Sequence, residues 1–199
     1  MAIVVTVVQV IWTFLSVCTA LACTFSFASP TWFIKNVGRQ LASFGLFSYC
    51  VQNVRSRTTM CLGYGDEFSF ARIPHGAWQA GCVLFGGGCV MLCAAAIIAM
   101  ASCCVPYFCE RRISVFAGYM QSVAVVICSV GLIIYPVGLE SNVIKMYCGQ
   151  SAASFNPGNC EIGWGYVLAI MGTALTMFGP FLSKYAIDKQ RLEDSEEFV

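Results

Sequence analysis

The sequence predicts an α-helical membrane protein: a four-transmembrane-helix bundle carrying a small extracellular antiparallel β-sheet. Three observations carry this. Asp, Glu, Lys and Arg are missing from residues 1–34, 73–109, 113–139 and 162–183, and about 20 apolar residues cross a bilayer's hydrocarbon core as a helix. The chain is 58% hydrophobic and only 11% charged, where soluble domains carry about 25% charged residues. Between the first two apolar stretches lies a long loop whose aromatic and β-branched residues favour strands.

The elements follow in order. Span one covers about 3–27 and is ended by Ser29-Pro30. A cleaved signal peptide would show a basic n-region and an apolar core of about 7–15 residues. Met1-Ala2 instead leads straight into the apolar run, so a retained span is expected. Loop one (28–76) offers strand-like pieces at Thr31–Lys35, Phe44–Val51 and Thr58–Leu62, with Asn53 and Ser56 near a hairpin bend. Span two, about 77–105, is closed by Pro106; a short hairpin, 106–113, carries Glu110, Arg111 and Arg112. Span three is about 114–137, with Pro136 and Gly138 at its outer end. Loop three (139–161), span four (163–185) and an acidic tail (187–199) complete the chain. No stretch is left for a separate soluble domain, so 1–199 reads as a single tetraspan domain.

Orientation should follow the Lys/Arg bias of short loops. Here it is a near tie. The hairpin side has Arg111, Arg112, Lys184, Lys189 and Arg191; the other has Lys35, Arg39, Arg55, Arg57, Arg72 and Lys145. Cysteine decides better. Of 13 Cys, Cys50, Cys61, Cys148 and Cys160 lie in loops, as two sequence-local pairs on one side of the membrane. Disulfides persist in oxidising compartments, so Cys50–Cys61 and Cys148–Cys160 are expected to face outward. Both termini then lie in the cytosol and the protein is a multi-pass plasma-membrane protein. Cys18, Cys23, Cys82, Cys89, Cys93 and Cys128 fall within spans, where a thiol packs as a small residue. Cys103, Cys104 and Cys109 sit at the cytosolic end of span two and are candidates for S-palmitoylation.

The spans hold no ionisable group of the kind that transporters and pumps place in the membrane. Gln9 and Gln121 are the strongly polar side chains well inside them. The lone His75 reads as a boundary residue, and Cys103, Cys104 and Cys109 lack a well-spaced fourth zinc ligand. Neither an enzyme nor a cofactor is expected, and a net charge of +1 gives no reason to expect nucleic acid. Small residues supply the contacts instead, because helices in lipid associate where backbones approach closely. Gly118 and Ser122, Gly131 and Gly138, and Gly165, Gly172 and Gly179 recur at spacings that keep each set near one helix face. Packing within the bundle is the expected use of Gly118, Gly131, Gly172 and Gly179; a homodimer seam is the alternative.

Trp32, Gly45-Leu46-Phe47, Cys50 and Cys61 resemble the claudin signature of a Trp, a Gly-Leu-Trp and two Cys in the first extracellular loop. Phe47 stands where claudins carry Trp, and Cys148 and Cys160 form a pair that claudins lack. Both departures fit the LHFPL tetraspan family (lipoma HMGIC fusion partner-like). So do Phe44–Cys50, Tyr135-Pro136-Val137-Gly138, Tyr147-Cys148-Gly149, Pro157-Gly158-Asn159-Cys160 and Ile162-Gly163-Trp164. The resemblance covers residues 10–185. It implies the claudin-like fold and a role as an auxiliary subunit that aids assembly, trafficking or gating of a membrane channel or receptor complex. A claudin-like adhesion or barrier protein is the alternative, with Arg55 and Arg57 as candidate pore-lining residues.

Loop-one aromatics offer a contact surface: Trp32, Phe33, Phe44, Phe47 and Tyr49. The competing use is packing of the sheet on the bundle, expected for Trp32, Leu46 and Phe47; Tyr49, Phe68 and Phe70 are open to either. The chain ends Glu196-Glu197-Phe198-Val199, an apolar residue with a free carboxylate of the sort that PDZ domains capture as an added strand. A solvated acidic tail is the plainer reading.

Overall fold

The computed structural model describes residues 7–37, 40–53, 58–64, 73–102 and 107–185. Helix α1 (Val7–Ala28) is followed by strands β1 (Phe33–Val37), β2 (Gln40–Phe44), β3 (Ser48–Asn53) and β4 (Thr58–Gly63). Helices α2 (Gly76–Ser102) and α3 (Tyr107–Ile134) come next, then a 3-10 turn, Tyr135–Glu140. A short helix α4 (Asn142–Cys148), strand β5 (Glu161–Ile162) and helix α5 (Trp164–Thr176) follow, and helical backbone resumes over 179–185. Four helical segments are long and apolar enough to cross a bilayer: Val7–Ala28, Gly76–Ser102, Ile113–Glu140 and Trp164–Tyr185. They pack in a ring in which α1 meets α2 and α5, and α3 meets α2 and α5.

Backbone hydrogen bonding explains why the spans are helical and the loop is a sheet. Hydrocarbon offers no partner for a bare N–H or C=O, so each span satisfies its own. Above the bundle the strands pair antiparallel in the order β4-β3-β2-β1-β5. Loop three thus closes the edge of the loop-one sheet, with Phe33 opposite Ile162 and Ile34 opposite Glu161.

Two expectations change. The piece Phe44–Val51 is not one strand: Gly45-Leu46-Phe47 is a turn between β2 and β3, and β2 itself had no counterpart in the sequence reading. The cause is local. A Cβ on Gly45 would lie 2.7 Å from Pro30 Cα and Ser29 O, so the chain turns back here against the exit from α1. The hairpin 106–113 is instead largely helix, since α3 begins at Tyr107; a helix satisfies its backbone in water or lipid alike. Within loop three, Ser141 caps α4 by accepting a bond from Ile144 N at 3.4 Å.

The half of the bundle farther from the sheet is held by polar pairs. Gln9 Nε2 donates to Ser102 Oγ at 2.7 Å, joining α1 to α2. Gln121 Nε2 donates to Ser16 Oγ at 2.7 Å, and Trp12 Nε1 donates to Gln121 Oε1 at 3.1 Å, joining α3 to α1. Such bonds contribute about 0.6 to 2 kcal/mol each within a bilayer. Span four is interrupted beside them, with a turn at residues 177–178 between α5 and the helical backbone at 179–185. Met177 N and Phe178 N donate three residues back, to Ala174 O and Leu175 O, both at 3.2 Å, tightening the last turn of α5. Pro180, just beyond, has no N–H for the Thr176 carbonyl.

Candidate functional site

Trp32, Trp78, Tyr135, Phe44 and Phe85, all fully buried, cluster where the sheet sits on the bundle. Trp32 leaves α1 and donates its Nε1–H to Ser26 O at 2.8 Å, satisfying a carbonyl of the helix's last turn. Its ring meets Tyr135 at 4.7 Å and Phe85 at 5.4 Å, both edge-on, and Tyr166 at 5.3 Å. Trp78 stacks on Tyr135 with centroids 5.4 Å apart and donates Nε1–H to its carbonyl at 3.1 Å. Gly138 permits that stack, because a Cβ there would collide with the Trp78 indole. Aromatic pairs of this geometry contribute about 0.5–1.5 kcal/mol each beyond their burial.

Two phenols converge on one carbonyl. Tyr64 OH, from just past β4, and Tyr135 OH, from the end of span three, donate to Gly45 O at 3.1 and 3.2 Å. Burial, reinforced by Tyr49 alongside, pushes the Tyr64 phenol well above its ordinary range, so it stays a neutral donor. Elements 90 residues apart in sequence are thereby fixed to the turn after β2. Chemically the arrangement positions; it holds no nucleophile and base in reach of each other. Among the described residues no group of three or more His, Cys, Asp or Glu is placed to hold a metal. His75 Nδ1 accepts from Ala77 N at 3.1 Å, at the start of α2.

This aromatic cluster bears out packing for Trp32 and Leu46 and corrects the contact-surface expectation for Phe33 and Phe44. Trp32, Phe33 and Phe44 are 0, 2 and 1% exposed and cannot meet a partner, while Phe47 and Tyr49 are half-buried. A single-layered sheet must bury one face on the bundle, and these aromatics are that face. Leu46 is buried beside them and Phe47 packs on Phe27 at 5.5 Å. Exposed apolar residues at this end include Met60 and Leu62 on edge strand β4, Met146 on α4, Phe155, Ile162 and Trp164. Phe68, Phe70, Arg55 and Arg57 lie outside the described residues.

The remaining candidate residues fall as follows. Cys50 is bonded to Cys61 across the β3–β4 register, and Cys148 to Cys160. The second bond closes a loop whose turns set Gly149 and Gly158 at φ 90° and 61°, conformations that favour glycine. A Cβ on Gly131 would lie 3.0 Å from Phe85 N, on Gly172 2.8 Å from Cys23 Sγ, on Gly118 2.6 Å from Ser183 Oγ and on Gly179 2.5 Å from Gln121 Oε1. Each is a point of close approach between helices of one chain. Cys103, Cys104, the side chain of Cys109, Phe198 and Val199 lie outside the described residues. Sequence reasoning missed Tyr64 and Trp78; their signal was an aromatic just past the last strand-like piece of the first loop and another in the first turn of span two.

The family model described as "Lipoma HMGIC fusion partner-like protein" matches residues 8–185. The chain is 30% identical to human LHFPL tetraspan subfamily member 2 protein, over 92% of this chain and 89% of that one. It is 31% identical to LHFPL tetraspan subfamily member 7 protein of Xenopus tropicalis, over 90% and 91%. Human LHFPL tetraspan subfamily member 3 protein is 30% identical, over 88% of this chain and 73% of its own. The chain belongs to the lipoma HMGIC fusion partner-like family of tetraspan membrane proteins.

Proposed function

We propose that this family member is an auxiliary subunit of a larger channel or receptor complex. In this reading it sits in the plasma membrane with both termini cytosolic and the sheet outside. Orientation rests on the two disulfides, which lie on the sheet side and call for an oxidising compartment. The role rests chiefly on one observation: Met60 and Met146 are 71 and 81% exposed above the bundle, with Leu62 and Phe155 also open. Exposed apolar side chains on a disulfide-pinned platform suit protein contact. Gln9, Trp12, Ser16, Ser102 and Gln121 bond to one another across the helices, which suits a solid stem rather than a conduit.

The test is mild crosslinking in cells, purification in gentle detergent and mass spectrometry, for the native chain and for Met60→Glu/Leu62→Glu. Channel or receptor subunits that co-purify with the native chain and are depleted in the double variant, at equal surface delivery, support the role. Recovery of self-polymers and junction scaffolds alone would replace it with the adhesion reading.

A further inference from the structure

A groove of about 450 Å³ lies between α3 and 179–185, within the roughly 300–1,000 Å³ typical of small-molecule sites. Its floor is made of small residues, Gly118, Ser122 and Pro180, and exposed Tyr119 and Phe181 stand as walls. Lys184 lies at one end. Ser183 Oγ donates to Ser114 O at 3.0 Å, which sets Lys184 level with the second turn of α3, just beyond Arg111 and Arg112 in the sequence. Lys184 is exposed and is the one charged side chain among the groove's lining residues, which include no carboxylate.

We propose that this groove is a binding site for an anionic phospholipid. An acyl chain lies on the small-residue floor between the two aromatic walls. The Lys184 ammonium reaches the headgroup phosphate, as basic side chains near span ends do when they extend toward the interface. A zwitterionic lipid fills the apolar part equally well, so charge supplies the selection. The orientation given above bears only on which leaflet provides the lipid, and a micelle assay is indifferent to it; the two readings therefore stand or fall separately.

Native mass spectrometry of the full chain in micelles, titrated with phosphatidylserine or phosphatidylcholine, tests it. The expected result is preferential retention of phosphatidylserine. Lys184→Ala lowers that affinity about fivefold, the effect of roughly one basic residue near an anionic headgroup, and leaves phosphatidylcholine unchanged. Val115→Trp, placed on an exposed wall residue, blocks both lipids at an unchanged unfolding temperature; should it misfold, Lys184→Ala decides alone. Equal retention of the two lipids, or selectivity indifferent to Lys184→Ala, would overturn the proposal. So would a Val115→Cys crosslink to a second copy in membranes, or binding that begins only after residues 186–199 are removed, since either identifies another occupant.

Discussion

Removing both phenols from the Gly45 carbonyl should cost more than the sum of removing each. Tyr64 and Tyr135 are buried and both donate to Gly45 O. Either change to Phe deletes one hydrogen bond, at about 0.5–1.5 kcal/mol net, while the other phenol still satisfies the acceptor. The double variant leaves Gly45 O, which is itself buried, without either donor, and an orphaned buried acceptor costs about 1–3 kcal/mol more. The expected coupling is therefore about 1–2 kcal/mol, worse than additive, beyond the few tenths at which independent sites add. The assay is a double-mutant cycle of Tyr64→Phe and Tyr135→Phe, followed by denaturation in mixed micelles. Additivity within about 0.5 kcal/mol would refute the claim that the two phenols share one acceptor.

Four further outcomes are expected. Cys50→Ser and Cys148→Ser each remove a bond worth about 2–5 kcal/mol in a small extracellular fold and should be retained in the endoplasmic reticulum; normal surface delivery of both, scored by surface biotinylation, counts against it. Gly172→Leu should destabilise by about 1–3 kcal/mol by overpacking on Cys23, whereas Val167→Leu, at a residue 49% exposed, should be neutral; equal melting temperatures in detergent would place Gly172 against lipid. Because folding raises the Tyr64 pKa, the folded state keeps a proton that the unfolded chain releases. Stability from this group is whole below about pH 10 and fades above it, and Tyr64→Phe should flatten that alkaline decline in a pH series of unfolding. A peptide of the acidic tail should stay unbound across a PDZ array, as a solvated tail does; a domain that binds it better than roughly 100 μM, about 5.5 kcal/mol, and loses it on Val199→Ala would replace that reading with strand capture.

The spans were legible because lipid imposes one rule on a whole segment, the exclusion of charge, and that rule is written in composition. Cysteine pairing was legible because each bond joins neighbours in sequence, 11 and 12 residues apart. What failed was local geometry. Gly45-Leu46-Phe47 looks like strand by residue type, yet it turns because Pro30 and Ser29 press on Gly45 from another element. The direction of the aromatics also escaped: hydropathy says that Phe33 and Phe44 are apolar, but the register of β1 with β2 decides that they go under the sheet. The Tyr135–Gly45 bond joins residues that share no sequence pattern, so no local reading contains it.

The chain's first and last membrane helices close on each other. Ser26 Oγ bonds Gly165 O at 2.7 Å, Gly172 lies over Cys23, and β5 completes the sheet beside β1 only after loop three has been made. During synthesis, then, the first helix and its strand wait in the membrane with one flank open until the ribosome has delivered the fourth helix. A premature stop anywhere in residues 139–163 would release a chain that lacks Tyr166 beneath Trp32 and the small-residue flank that covers Cys23. Such alleles should behave as complete losses cleared by quality control, not as shortened proteins with partial activity. Chaperones that hold unpaired membrane helices would have their longest engagement with the first.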